Sequence, residues 1–159
     1  MKTSSISSIK NELSTLSSAD LLDVCLRLAR YKKENKELLS YLLFEARDEQ
    51  AYIAAVKNEM DIQFAEINLS HLYYTKKGIR KILKNLQKYS RYSGHKQTEA
   101  ELLIYFCFKL KGCGVKLQSA NALTNMYVNQ LKKINTVIAG LHEDLQYDYK
   151  QEVKALLLR

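Results

Sequence analysis

The chain has no proline, no tryptophan, five glycines and three cysteines in 159 residues. Without proline, and with so little glycine, it lacks the turn residues that a β-sandwich, a barrel or a doubly wound sheet needs at its many tight connections. The expectation is an all-α chain. The cysteines, Cys25, Cys107 and Cys113, are odd in number and form no C-x-x-C pair, which argues against a disulfide framework or a zinc knuckle. Cys25 and Cys107 sit in the apolar runs LLDVCLRLA and LLIYFCFKL, where a free thiol packs as a small hydrophobe. No apolar window reaches the roughly 18 residues that a membrane span needs. The opening MKTSSISSIKNEL also lacks the apolar stretch of a secretory signal. Free thiols without either feature point to the cytoplasm.

Hydrophobic residues make up 47% of the chain and charged residues 26%, an ordinary soluble composition that excludes a disordered tail. The length leads to one helical domain over residues 1–159, with 1–17 a loosely held Ser-rich lead-in and one short helix around Ile6 to Leu16. Ser17 to Asp20 reads S-x-x-D and starts a helix near Ala19, whose stripe runs through Leu21, Leu22, Cys25, Leu28 and Ala29. The stripe pauses at Lys33 to Asn35, where a bend is expected, and resumes with Leu38, Leu39, Leu42 and Leu43. Asp48 caps a helix carrying Tyr52, Ile53, Val56, Met60, Phe64 and Ile67, and Ser70 caps another that runs to about Tyr92. Thr98 to Glu101 has the spacing of a capping box before ELLIYFCFKL, and Gly112-Cys113-Gly114 ends that helix. From Ser119, Leu123, Met126, Tyr127, Leu131, Ile134 and Ile138 keep helical spacing to Gly140, and LHEDLQYDYKQEVKALLL follows as a second helix or a kinked continuation.

Six or seven antiparallel amphipathic helices result, in a bundle or a short HEAT-like array. An array draws on one echo: Leu21-Leu22-x-x-Cys25-x-Arg27-Leu28 matches Leu103-Ile104-x-x-Cys107-x-Lys109-Leu110. Amphipathic helices of any bundle also produce such a match.

Charge is distributed unevenly. The formal net charge is +8, yet no acidic residue lies between Glu66 and Glu99, where Lys76, Lys77, Arg80, Lys81, Lys84, Lys88, Arg91 and Lys96 supply the whole excess. At about 100° per residue, the seven bases from Lys76 to Arg91 span an arc of roughly 140°. Leu72, Ile79, Ile82, Leu83, Leu86 and Tyr89 occupy the opposing arc. Exposed lysines usually alternate with glutamate at i, i+4, which relieves repulsion; no glutamate does so here. The seven bases are therefore candidate anion- or partner-binding residues, and a purely solvated face is the plain alternative. Tyr73 falls inside the basic arc and Tyr92 at its edge, where stacking on a base competes with ordinary packing of a ring at a helix shoulder.

Chemistry finds little else to work with. His71, His95 and His142 form neither H-E-x-x-H nor E-x-x-H, and there is no G-x-S-x-G and no P-loop. Asp144, Asp148 and Glu152 step by four along the last helix, a row rather than a cage for a cation. That row could meet the basic stripe of a second copy. The expectation is a non-enzymatic binding or adaptor module, with no cofactor and no metal. Its partner is expected to be an acidic protein or a second copy of itself. Nucleic-acid or phosphate binding through residues 70–92 is the alternative.

Overall fold

The structure, a computed structural model, describes residues 2–115, 117 and 121–157, Asn121 by its backbone alone. Every regular element among them is helical, which makes the chain all-α. Length leads to one domain over 1–159; by their contacts the residues fall into two compact units, Met1–Phe44 and Glu45–Arg159.

The first unit holds α1 (Ile6–Thr15), α2 (Ser18–Tyr31) and α3 (Lys33–Ser40), followed by a π-helical turn over Tyr41–Glu45. Serines start the first two helices: the Ser5 hydroxyl accepts from the Ser8 amide at 3.1 Å, and the Ser17 hydroxyl from the Asp20 amide at 3.1 Å. The expected bend is sharp and falls at Lys32, whose extended backbone (φ −142°, ψ 146°) separates α2 from α3. Beyond it the Asn35 side-chain Nδ2 donates to the Leu28 carbonyl at 2.9 Å, satisfying one of the acceptors that the end of α2 leaves open. None of α1, α2 or α3 contributes a buried residue.

The second unit comprises α4 (Glu49–Ala65), α5 (Leu72–Ser93), α6 (Lys96–Gly112), α7 (Asn121–Ile138) and α8 (Glu143–Leu156). Its organising element is α6, which is apolar almost all round and packs against α4, α5, α7 and α8. Ala100, Leu102, Leu103, Phe106, Cys107 and Leu110 are fully buried along it. The paired helices α4 and α5 lie against it, as do the paired helices α7 and α8. They bury Ile79, Ile82 and Leu86 from α5, and Leu123, Tyr127, Ile134 and Ile138 from α7. Cys25 and Cys107, matched in the sequence echo, have unlike surroundings: Cys25 is half-exposed and Cys107 is at the centre of this core.

Turn chemistry sets the helix ends. Asp48 caps α4 through its carboxylate, which accepts from the Ala51 amide at 2.9 Å. Gly94 follows α5 with φ 70°, a left-handed conformation that glycine adopts without a Cβ clash. A tight turn at Ala139 to Leu141 separates α7 from α8, so Gly140 ends a helix rather than kinking one. Ser119, from which the spacing starts α7, and Leu158, in the final apolar run, lie outside the described residues.

Two local starts differ from expectation. His71, not Ser70, caps α5: its Nδ1 accepts from the Tyr73 amide at 3.1 Å, while the Ser70 amide and hydroxyl both donate to the Asn68 side chain, at 2.9 and 2.6 Å. A helix cap must accept from the helix, and Asn68 holds Ser70 turned back into the preceding turn. Likewise α6 starts at Lys96, so Thr98 and Glu101 lie inside it and form no capping box. Their side chains reach other helices instead. Thr98 donates to the Glu49 carboxylate of α4 at 2.5 Å.

Candidate functional site

The span from Leu72 to Ser93 is one unbroken helix, α5, with two sides. Thr75, Ile79, Ile82, Leu86 and Ser90 are buried on one side. On the other, Lys77, Arg80, Lys81, Lys84 and Arg91 are exposed, with Lys76 and Lys88 half-buried at the margins. At 1.5 Å per residue the row from Lys76 to Arg91 is about 22 Å long. Among the described residues no carboxylate forms an ion pair with Lys76, Lys77, Arg80, Lys81, Lys84 or Arg91. All seven expected bases therefore share one helix face. Six of them have no carboxylate partner among the described residues.

The tyrosines divide. Tyr73 is 62% exposed at the N-terminal end of the stripe and meets Tyr74 edge-on, with ring centroids 5.4 Å apart. Tyr92 is half-buried beside Tyr89 at 6.3 Å, and the Lys88 ammonium lies over both rings, 5.0 Å from Tyr89 and 6.0 Å from Tyr92. Tyr73 thus offers an open ring. Tyr92 already has packing partners.

A second feature has no local signal in the sequence. Between α4, α6 and α8 lies a cleft of about 790 Å³, with Ile104, Phe108 and Leu156 among its apolar lining and Lys57, Glu101, Tyr105 and Tyr149 among its polar lining. Glu101 projects from α6 and pairs with Lys57 of α4 at 3.4 Å, while the Tyr149 hydroxyl of α8 donates to it at 3.0 Å. The Lys57 ammonium also lies 5.5 Å from the Tyr105 ring centroid. Tyr105 in turn donates to Asp61 at 2.7 Å, and Lys109 pairs with the same carboxylate at 2.9 Å. The hydrogen bond from Lys109 and that from Tyr105 hold the Asp61 carboxyl below its ordinary range. Burial and Asp61 push the Tyr105 hydroxyl up to about 12, and burial and Glu101 do the same to Tyr149. These groups stay as donors and fixed charges at neutral pH. Their partners lie 44 to 48 residues apart in sequence, beyond the reach of a spacing pattern.

The remaining candidates stay apart. Asp144, Asp148 and Glu152 lie exposed along α8, with the His142 ring 3.4 Å from Asp144. Among the described residues no three His, Cys, Asp or Glu side chains converge as a metal site would require, and no helix is long and apolar enough to cross a membrane. No protein-family model, no curated protein and no solved structure matches the chain.

Proposed function

We propose that the chain is a non-catalytic helical binding module that docks an acidic protein surface on the outer face of α5. The observation that carries this reading is the row Lys76, Lys77, Arg80, Lys81, Lys84 and Arg91, six bases on one face with no carboxylate paired to any of them among the described residues. Like charges at i, i+4 repel along a helix, and an anionic partner turns that cost into attraction. Three free thiols fit a reducing compartment such as the cytoplasm.

Titration with an oligoglutamate peptide at low salt tests the reading. The wild type binds, and the combined variant Arg80→Gln, Lys81→Gln, Lys84→Gln binds about threefold to 150-fold more weakly, because three exposed ion pairs are each worth about 0.2–1 kcal/mol. The melting temperature stays nearly constant, since these side chains are exposed and pair with no carboxylate among the described residues. Equal binding by both proteins defeats the proposal.

The second reading is sequence-independent nucleic-acid binding, favoured by the open Tyr73 ring beside the bases. It predicts that log affinity for short single-stranded or duplex DNA falls with log salt at a slope of about −4 to −5, for five or six phosphate contacts. The acidic-protein reading ranks above it because Tyr92, at the far end, is packed on its neighbours, which leaves the row a thin stacking surface.

A further inference from the structure

The unit over Met1–Phe44 carries thirteen of the twenty-one large hydrophobic residues exposed among the described residues, and its three α-helices bury none. So short a unit gains little from a core, and its one cysteine, Cys25, is free, so no disulfide braces it. Its apolar surface is organised rather than scattered. On α2, Leu21, Val24, Leu28 and Tyr31 follow one another at steps of three, four and three, the spacing of a helix-packing seam. They are 39%, 37%, 56% and 75% exposed.

One residue earlier, Asp20, Asp23, Arg27 and Arg30 repeat the same steps. They form a charged row on the adjoining face, centred about 100° from the seam by helix geometry. Acids occupy its N-terminal half and bases its C-terminal half. Both are arranged about Cys25: Asp20 and Arg30 stand five residues either side of it, and Asp23 and Arg27 two. The seam is symmetric about a point one residue on, Leu26, with Leu21 paired to Tyr31 and Val24 to Leu28. A helix of this pattern is complementary to its own antiparallel copy.

We propose that α2 is the self-association surface of the chain, joining a second copy antiparallel about a two-fold axis at the level of Cys25 and Leu26. The seams of the two copies pack on each other, and the rows beside them run in opposite directions. Asp20 and Asp23 of each copy then lie alongside Arg30 and Arg27 of the other. A two-fold contact of this kind is isologous and closed, so it stops at two chains. A parallel pairing sets each row beside the opposite flank of the other helix and gives the charges no partners. The inference is independent of the reading given to α5.

Charge reversal separates this arrangement from general stickiness, with mass in solution by light scattering and helicity by circular dichroism as readouts. The wild type has the mass of two chains at micromolar concentration. Leu28→Glu raises the dimer dissociation constant by about thirtyfold or more, the effect of disrupting a central interface residue. The all-basic variant Asp20→Arg/Asp23→Arg and the all-acidic variant Arg27→Asp/Arg30→Asp are each monomeric with wild-type helicity, and mixing them restores a one-to-one dimer. With Cys113 replaced by Ser and Cys107 buried, a short bismaleimide joins two wild-type helices through Cys25. A monomeric wild type overturns the proposal. So does a dimer whose mass ignores both charge reversals, or a mixture of the two variants that stays monomeric.

Discussion

Tyr105, Tyr127, Tyr149 and Cys107 share one electrostatic position: each is held back from water, and each favours its neutral, protonated form. Burial is the first cause in all four, raising the tyrosines from 10.0 and the thiol from 9.0 to about 12. Tyr105 and Tyr149 have in addition a carboxylate acceptor, Asp61 and Glu101, that an ionised phenol would repel. Below the unfolded values, near 9 to 10, both states are protonated and the stability is complete. Between there and about 12 the unfolded chain releases protons that the folded chain keeps, so stability falls as pH rises. The urea midpoint is expected to be level from pH 7 to about 9 and to drop steeply towards pH 12, with tyrosinate absorbance rising as helical ellipticity is lost. A midpoint unchanged near pH 11 would contradict it. None of this was legible from the sequence alone. Tyr127 donates to the Leu156 carbonyl 29 residues away, and Glu101 has the local spacing of a cap although its partners, Lys57 and Tyr149, come from other helices.

At the scale of elements, helices were legible wherever their signals are local. Ser17 and Asp48 both cap as their position before an apolar stripe implies, and Gly94 closes α5. Ser70 fails for an equally local reason: Asn68, two residues earlier, competes for its amide and hydroxyl. The two-sided character of α5 was also legible, because seven bases and the buried Ile79, Ile82 and Leu86 sort cleanly at 100° per residue. One element carries a removable weakness. Gly78 lies inside α5, and a Cβ there would come no closer than 3.4 Å to Ile67 Cγ1, an ordinary contact. Glycine in a helix interior costs about 0.8–1 kcal/mol relative to alanine. Gly78→Ala is therefore expected to stabilise the protein by about 0.5–1 kcal/mol in urea denaturation, without moving the bases around it. A destabilised variant would mean that Ile67 cannot accommodate the methyl.

Across the whole molecule, the all-α class followed from absent turn residues, whereas the division into two units did not. The same apolar spacing at Leu21, Leu28 and at Leu103, Leu110 yields exposed residues in one unit and fully buried ones in the other. Periodicity reports which face is apolar and says nothing of how much chain is there to cover it. Protection should differ accordingly. Amides of α6 are expected to exchange with deuterium only through global unfolding, and those of α1 to α3 orders of magnitude faster when the chain is dilute. Uniform protection across both units would contradict this contrast.

The central place of α6 sets a problem of timing for the growing polypeptide. Two of the helices packed on it, α7 and α8, are translated afterwards, so Leu102, Phe106 and Leu110 leave the ribosome well before Leu123, Tyr127, Ile134 and Val153. A nascent chain that has emerged only as far as Gly112 shows its most apolar stretch to solvent with part of its cover still to follow. That window, rather than the finished fold, is where a chaperone would find its strongest handle and where aggregation would begin.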